Sequence, residues 1–398
     1  MSSLEKARHK KRSRVDIEEE QEFPVDIVPD NIIDKDVQSM LLPLNIMQHV
    51  FVSPKYRIKN NRIIPNNYYS YFSAACFAIF YVTIFSYRTY CRITSKSATD
   101  YYKFSDNGTN YIGQIIVCIM PLISLYAVIF QSDSNITLIL KFLNIHRFLN
   151  NETEFKRFTV FTWISVVLIF TFMFIFIAFI YISFKLPYYN IICGFLIESI
   201  NTNIVYAIRL IKVLTQKVVL WNRKTFELKS MEDREKKDCC EKLFQAYVDI
   251  LDCFDIYGIC FQQTIVMHYV HCFTTNLIHI KISIDNLEMN YDNYSLTINV
   301  IMNVLWLIKN LFLESLLSLE MENFYIATTK VQDTCLLLIT INHSDDEKRL
   351  YKNILRLHQG SFEKMKACRL FNVDATLPLK ITSLITNYTV VVLQFAFL

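Results

Sequence analysis

The sequence predicts an all-α membrane protein with seven transmembrane helices, its N-terminus in the cytoplasm and its C-terminus outside. Hydrophobic residues fill 53% of 398 positions, with 31 Phe against only 5 Gly, a composition far from that of soluble enzymes. Seven apolar runs have the length a helix needs, about 20 residues at 1.5 Å rise, to cross roughly 30 Å of hydrocarbon. Lys and Arg collect in alternate connections, as they do when retained on the cytoplasmic side.

Residues 1–68 read as a cytoplasmic N-terminal tail and pre-helix segment. They open MSSLEKARHKKRSRVDIEEEQEF, basic then acidic, without the apolar core of a signal peptide. The cluster Lys10, Lys11, Arg12 and Arg14 reads as an orientation signal on a solvated tail, so no nucleic-acid partner is expected. Residues 69–213 hold the first four spans, at 69–87, 111–130, 161–184 and 186–213; the third, FTWISVVLIFTFMFIFIAFIYISF, carries no charge. Residues 214–253 form a cytoplasmic helical loop, and residues 254–319 hold spans five and six, at 254–280 and 296–319. Residues 320–376 form a cytoplasmic anchor, and residues 377–398 the seventh helix. Glu198, His268, His271 and Lys309 fall inside these runs. Each is costly against lipid, so they are expected to face a bundle interior or water.

The connection between spans four and five carries Lys212, Lys217, Arg223, Lys224, Lys229, Arg234, Lys236, Lys237 and Lys242, whereas three-to-four offers only Lys185 and five-to-six only Lys281. Even-numbered helices therefore end inside. Leu243, Ala246, Tyr247 and Ile250 make one apolar stripe in the four-to-five connection, and Leu350, Ile354, Leu357, Phe362 and Met365 another between six and seven. Helices four to seven are thus expected to extend into one cytoplasmic bundle that buries both stripes.

Enzymatic chemistry finds no support. The chain has no GxGxxG, P-loop, GxSxG or HExxH motif, and no cofactor is expected. Its 11 cysteines lie mostly in apolar helices or in the basic inner loop, and read as small packing residues. His268, His271 and Cys272 make a partial zinc pattern, but no second ligand cluster of suitable spacing accompanies them. No metal site is expected.

The last 40 or so residues, LHQGSFEKMKACRLFNVDATLPLKITSLITNYTVVVLQF, resemble the C-terminal signature of the insect gustatory receptors: Thr-Tyr, five apolar residues, then Gln-Phe. Tyr388, the run from Thr389 to Leu393, Gln394 and Phe395 fit that spacing, and His358, Phe362, Ala367-Cys368, Phe371, Val373-Asp374 and Leu377 resemble the stretch before it. The chain departs from the pattern twice. Asn387 stands where Thr is usual, and Arg369 where a Gly usually follows Ala-Cys. Upstream, a stretch at 41–58 and the overall topology resemble the family too. The resemblance implies a tastant-gated, non-selective cation channel passing Na, K and Ca in the plasma membrane of sensory neurons. It further implies contact with membrane lipids, a homotetramer or a hetero-oligomer with related receptors, a cytoplasmic anchor, and a pore lined by helix seven. The alternatives are an odorant-receptor-like subunit that needs a partner and a seven-helix G-protein-coupled-type receptor. The latter is opposed by the loop charges and by the absence of NPxxY from helix seven.

Two candidate sites follow. A pocket for a small-molecule tastant, a sugar or a bitter compound, is expected where polar groups interrupt the outer halves of the spans: Gln114, Glu198, His268, His271, Asn303 and Trp306. The pore and gate are expected at Asn387, Tyr388, Val391, Gln394 and Phe395, grouped by helical spacing around one amide. The competing reading of Gln394 is a hydrogen bond to a neighbouring helix.

Overall fold

The computed structural model describes residues 32–94, 107–184, 187–228, 231–288, 293–340 and 344–396. These form ten helices and two short hairpins: α1 (Lys35–Val50), β1 (Arg57–Lys59), β2 (Arg62–Ile64), α2 (Tyr68–Thr94), α3 (Asn107–Phe130), α4 (Ser132–Phe148), α5 (Glu152–Phe184), α6 (Tyr188–Glu227), α7 (Asp233–Glu288), α8 (Asn293–Thr340), α9 (Asp345–Ser361), β3 (Lys366–Ala367), β4 (Phe371–Asn372) and α10 (Leu377–Ala396). The basic cluster near the N-terminus and Leu398 lie outside the described residues, as does the side chain of Phe395.

The expected spans fall on α2, α3, α5, α6, α7, α8 and α10. Five of these are long and apolar enough to cross a membrane: Tyr68–Cys91, Ile112–Phe130, Glu152–Phe179, Tyr188–Glu227 and Glu235–Ile284. Lys309 and Glu314 interrupt α8, while Lys380, Asn387 and several Thr residues interrupt α10; neither helix is among the five. From Phe161 on, α5 carries no charge on any face, and its Phe174 and Ile182 are 77% and 73% exposed. Such a surface suits hydrocarbon and is costly in water.

The other half of the molecule is a tight bundle of α1, α4, α6, α7, α8 and α9. The first stripe read from the sequence is buried there, Leu243, Ala246, Tyr247 and Ile250 on α7; of the second, Leu350, Ile354 and Met365 are buried while Leu357 and Phe362 are half-buried. Trp221 of α6 is fully buried and donates from Nε1 to the Leu243 carbonyl at 2.7 Å. Ion pairs tie the helices at the bundle's edge, Lys141 to Asp252 at 3.0 Å and Lys212 to Glu320 at 2.6 Å. Ser344 opens α9 with a capping box, its backbone N–H donating to Glu347 Oε2 at 3.0 Å.

Three differences from the sequence reading have physical causes. α4 occupies what had read as an inner loop; its Leu138, Ile139, Phe142 and Leu143 are buried at helical spacing, but the run is too short and polar to read as a span. α6, α7 and α8 are unbroken over 40, 56 and 48 residues, because no Pro or capping signal separates each apolar run from its amphipathic extension. α9 stops at Ser361, just after Gly360, and the stretch expected to continue as helix turns back as the β3–β4 hairpin. Tyr325 of α8 pins that hairpin: its hydroxyl donates to the Val373 carbonyl at 3.0 Å and accepts from the Met365 N–H at 3.1 Å. The hairpin delivers the chain into α10.

Candidate functional site

α6, α7 and α8 meet inside the apolar half of the molecule and bring charged and amide side chains into one line. Glu198 and Asn201 stand three apart on α6, one helix face, and Asn201 Nδ2 donates to Glu198 Oε2 at 2.7 Å. Lys309 of α8 donates to the other carboxylate oxygen at 2.8 Å. The pair is almost fully buried, with side-chain exposures of 12% and 5%, so each charge depends on the other. Asn201 Oδ1 lies 3.1 Å from His268 Nε2 on α7. On the far side of that ring, His268 Nδ1 is 3.7 Å from Glu314 Oε1 of α8.

Lys309 also sits over the Trp306 ring, 3.6 Å from its centroid, and Trp306 packs on Phe176 of α5 at 5.8 Å. A cation that is both paired with a carboxylate and stacked on indole is held in one place. The Trp306 Nε1 donor is buried and unpartnered.

Of the six residues expected at the pocket, the structure joins Glu198, His268 and Trp306 into this chain through Lys309 and Asn201. His271 is buried beside it on α7, where its Nδ1 meets the Thr275 hydroxyl at 3.2 Å. Asn303 lies one turn from Trp306 but donates to Ser283 of α7 at 2.9 Å. Gln114 stays apart on α3, where its amide faces the Cys118 thiol on the same helix at 3.9 Å. A small cleft lies elsewhere, lined by Phe51, Ser53, Ala78, Pro121 and Ser199 among others. The sequence reading placed Lys309 inside a span but not at the site, and it missed Asn201 and Glu314. Their polarity inside apolar runs was the available signal.

α10 is different in kind. Asn387, Tyr388, Val391 and Gln394 are all exposed on this single chain, Tyr388 by 50% and Val391 by 43%. The helix is held mainly by α7, on which the Tyr388 ring meets Phe273 edge-on at 5.7 Å.

Fold and site define an all-α membrane protein that buries a line of charged and amide side chains between three long helices and leaves one face of its last helix exposed. The sequence profile of the 7tm Chemosensory receptor family matches residues 51–398; the chain belongs to this family, one of receptors rather than enzymes. No curated protein matches it in sequence. Among solved structures it is similar to the insect olfactory receptor OR5 from Machilis hrabei, with a TM-score of 0.64 and 11% identity over 91% of this chain and 100% of that one. At that identity the likeness shows the shared fold.

Proposed function

We propose that this chain is a gustatory receptor, a subunit of a tastant-gated, non-selective cation channel in the plasma membrane of sensory neurons. It crosses the membrane seven times, with α8 and α10 as the sixth and seventh spans, its N-terminus inside, and residues 214–253 and 320–376 forming the inner anchor. The carrying observation is the exposed face of α10, on which Asn387, Val391 and Gln394 are left largely open among the described residues. Four copies, each contributing one such helix, would close these faces around an axis. An amide ring there offers ions a carbonyl dipole without fixed charge, which passes cations while discriminating weakly among them.

The tastant belongs at Trp306, Lys309 and Glu198. A small polar ligand that engages the indole N–H and competes for Lys309 or Glu198 changes how α6 and α8 are joined. α7 carries His268 of the same chain and, five residues further, Phe273 against Tyr388 of the pore helix. Ligand and gate thus share one rigid helix.

The test is recording from cells that express the chain. Gln394→Glu is expected to shift relative permeability towards divalent cations, and Val391→Ala to leak without ligand. Unchanged bi-ionic reversal potentials together with a silent basal state would rule out this pore face.

A further inference from the structure

His268 and Cys272 stand four apart on α7, so one turn of helix stacks them on one face, and α8 presses Glu314 against them. The three are buried, with ligand atoms all within 4.8 Å of one another. His268 Nδ1 is the hub: Cys272 Sγ lies 3.6 Å from it and Glu314 Oε1 3.7 Å. Two ligands at ordinary zinc bond lengths and a tetrahedral angle stand about 3.5 Å apart. The two edges that meet at His268 Nδ1 already have that spacing, and the third, between Cys272 and Glu314, is within 4.8 Å.

Two further observations point the same way. Both oxygens of the Glu314 carboxylate are buried without a nitrogen or oxygen hydrogen-bond partner among the described residues, with only the Cys272 thiol as a hydrogen-bonding neighbour, and the side chain is 1% exposed. A buried carboxylate left so is costly, and a cation is what would satisfy it. The His268 ring is also oriented as a ligand needs. Asn201 gives its amide N–H to Glu198, which turns its carbonyl oxygen towards His268 Nε2. That oxygen only accepts, so Nε2 carries the proton and Nδ1 keeps its lone pair; Cys272 Sγ, 3.6 Å from Nδ1 and 3.9 Å from Nε2, lies over the ring and reaches the lone-pair axis by turning about its own χ1. A polar partner that fixes the tautomer of a ligating imidazole is the usual outer shell of a metal site.

We propose that His268, Cys272 and Glu314 bind a zinc-like divalent transition-metal ion that staples α7 to α8. One thiolate, one carboxylate and a neutral imidazole balance a divalent charge, while Lys309 is already neutralised by Glu198. The thiolate and imidazole select a zinc-like ion over calcium or magnesium, which prefer all-oxygen shells. Three protein ligands leave a fourth position for water. The assignment stands independently of the tastant reading.

The experiment uses the full chain purified in detergent, stripped with chelator and titrated with Co2+ as a spectroscopic probe, then with Zn2+ in competition. The expected result is one Co2+ per chain, with thiolate-to-metal charge-transfer absorbance and tetrahedral visible bands, both abolished by Zn2+. Cys272→Ser removes the charge-transfer band, and Asn201→Leu weakens binding about 10- to 100-fold. Glu314→Gln also lowers affinity, yet it removes an unpaired buried charge, so its metal-free protein melts no earlier than wild type; lost binding there cannot be ascribed to unfolding. Absence of the band in wild type, or its full persistence in Cys272→Ser, would overturn the site.

Discussion

Arg369 holds its backbone at φ 64°, in the left-handed region, directly after Cys368 at φ 47° in the β3–β4 turn. For a residue with a Cβ this conformation costs about 1–2 kcal/mol, whereas Gly adopts it freely. That is the physical content of the Gly usual at this place, and the arginine here carries the strain. Arg369→Gly is expected to stabilise the chain by up to about 1 kcal/mol, the gain being partly offset by the greater freedom of Gly when unfolded; a lower melting temperature of the purified variant would contradict it. The Lys309–Glu198 pair gives the opposite sign. Glu198→Gln leaves a buried ammonium without its counter-charge, a loss of about 3–5 kcal/mol for such pairs. Adding Lys309→Met to that change should restore much of the stability while abolishing the tastant response. Melting curves of the single and double variants separate the two effects.

At the level of elements, most of the fold was legible because lipid imposes a simple rule on helix length and polarity. The run 161–184, with no charge at all, could be little else, and the stripe through Leu243 and Tyr247 was readable as a buried face before its partners were known. α4 was not, since its polar residues, Ser132 to Asn135 and Lys141, mask a short apolar stripe that matters only once α7 packs on it. The site divides along the same line. Glu198, His268 and Lys309 stood out as costly residues on their own helices, but which of them meet depends on helix rotation about the axis, and no single segment records that. Hence Gln114 was expected at the pocket and lies apart, while Asn201 and Glu314 completed the chain unforeseen. The coupling of α7 to α10 is testable in the same terms. Phe273→Ala removes the edge-on contact with Tyr388 and leaves Trp306, Lys309 and Glu198 in place. Maximal tastant-evoked current should fall while equilibrium binding of the ligand changes little. An unaltered maximal response would place the coupling on another route.

The whole molecule combines an apolar half, with its buried line of charged and amide side chains and one exposed face of α10, and a polar-rimmed bundle whose core contains histidines outside the expected spans. Those histidines give the protein a pH dependence. His146 of α4 is buried between Asp36, whose Oδ2 lies 2.8 Å from Nε2, and Lys217, whose Nζ donates to Nδ1 at 2.8 Å. Burial and then the Lys217 charge hold its pKa below the ordinary 6.5, against the opposing pull of Asp36. His358 of α9 is likewise pushed down by burial, with Nδ1 2.9 Å from the Tyr247 hydroxyl. In the unfolded chain both take up a proton near pH 6.5, whereas the folded chain resists. The unfolded state therefore binds more protons as the pH falls below about 6.5, and stability declines by at most about 1.4 kcal/mol per pH unit for each histidine. Asp36 does not contribute in this window, because its own pKa lies below 3.8: burial raises it, and the hydrogen bond and charge of His146 more than compensate. The melting temperature of the purified receptor should thus decline as the pH falls from about 6.5 to 5.5. A variant with both His146→Gln and His358→Gln puts a hydrogen-bonding amide at each place but has no proton to gain, so its curve should be flatter over the same range. If it declines as steeply as the wild type, the acid sensitivity arises elsewhere in the molecule and the two histidines do not set it.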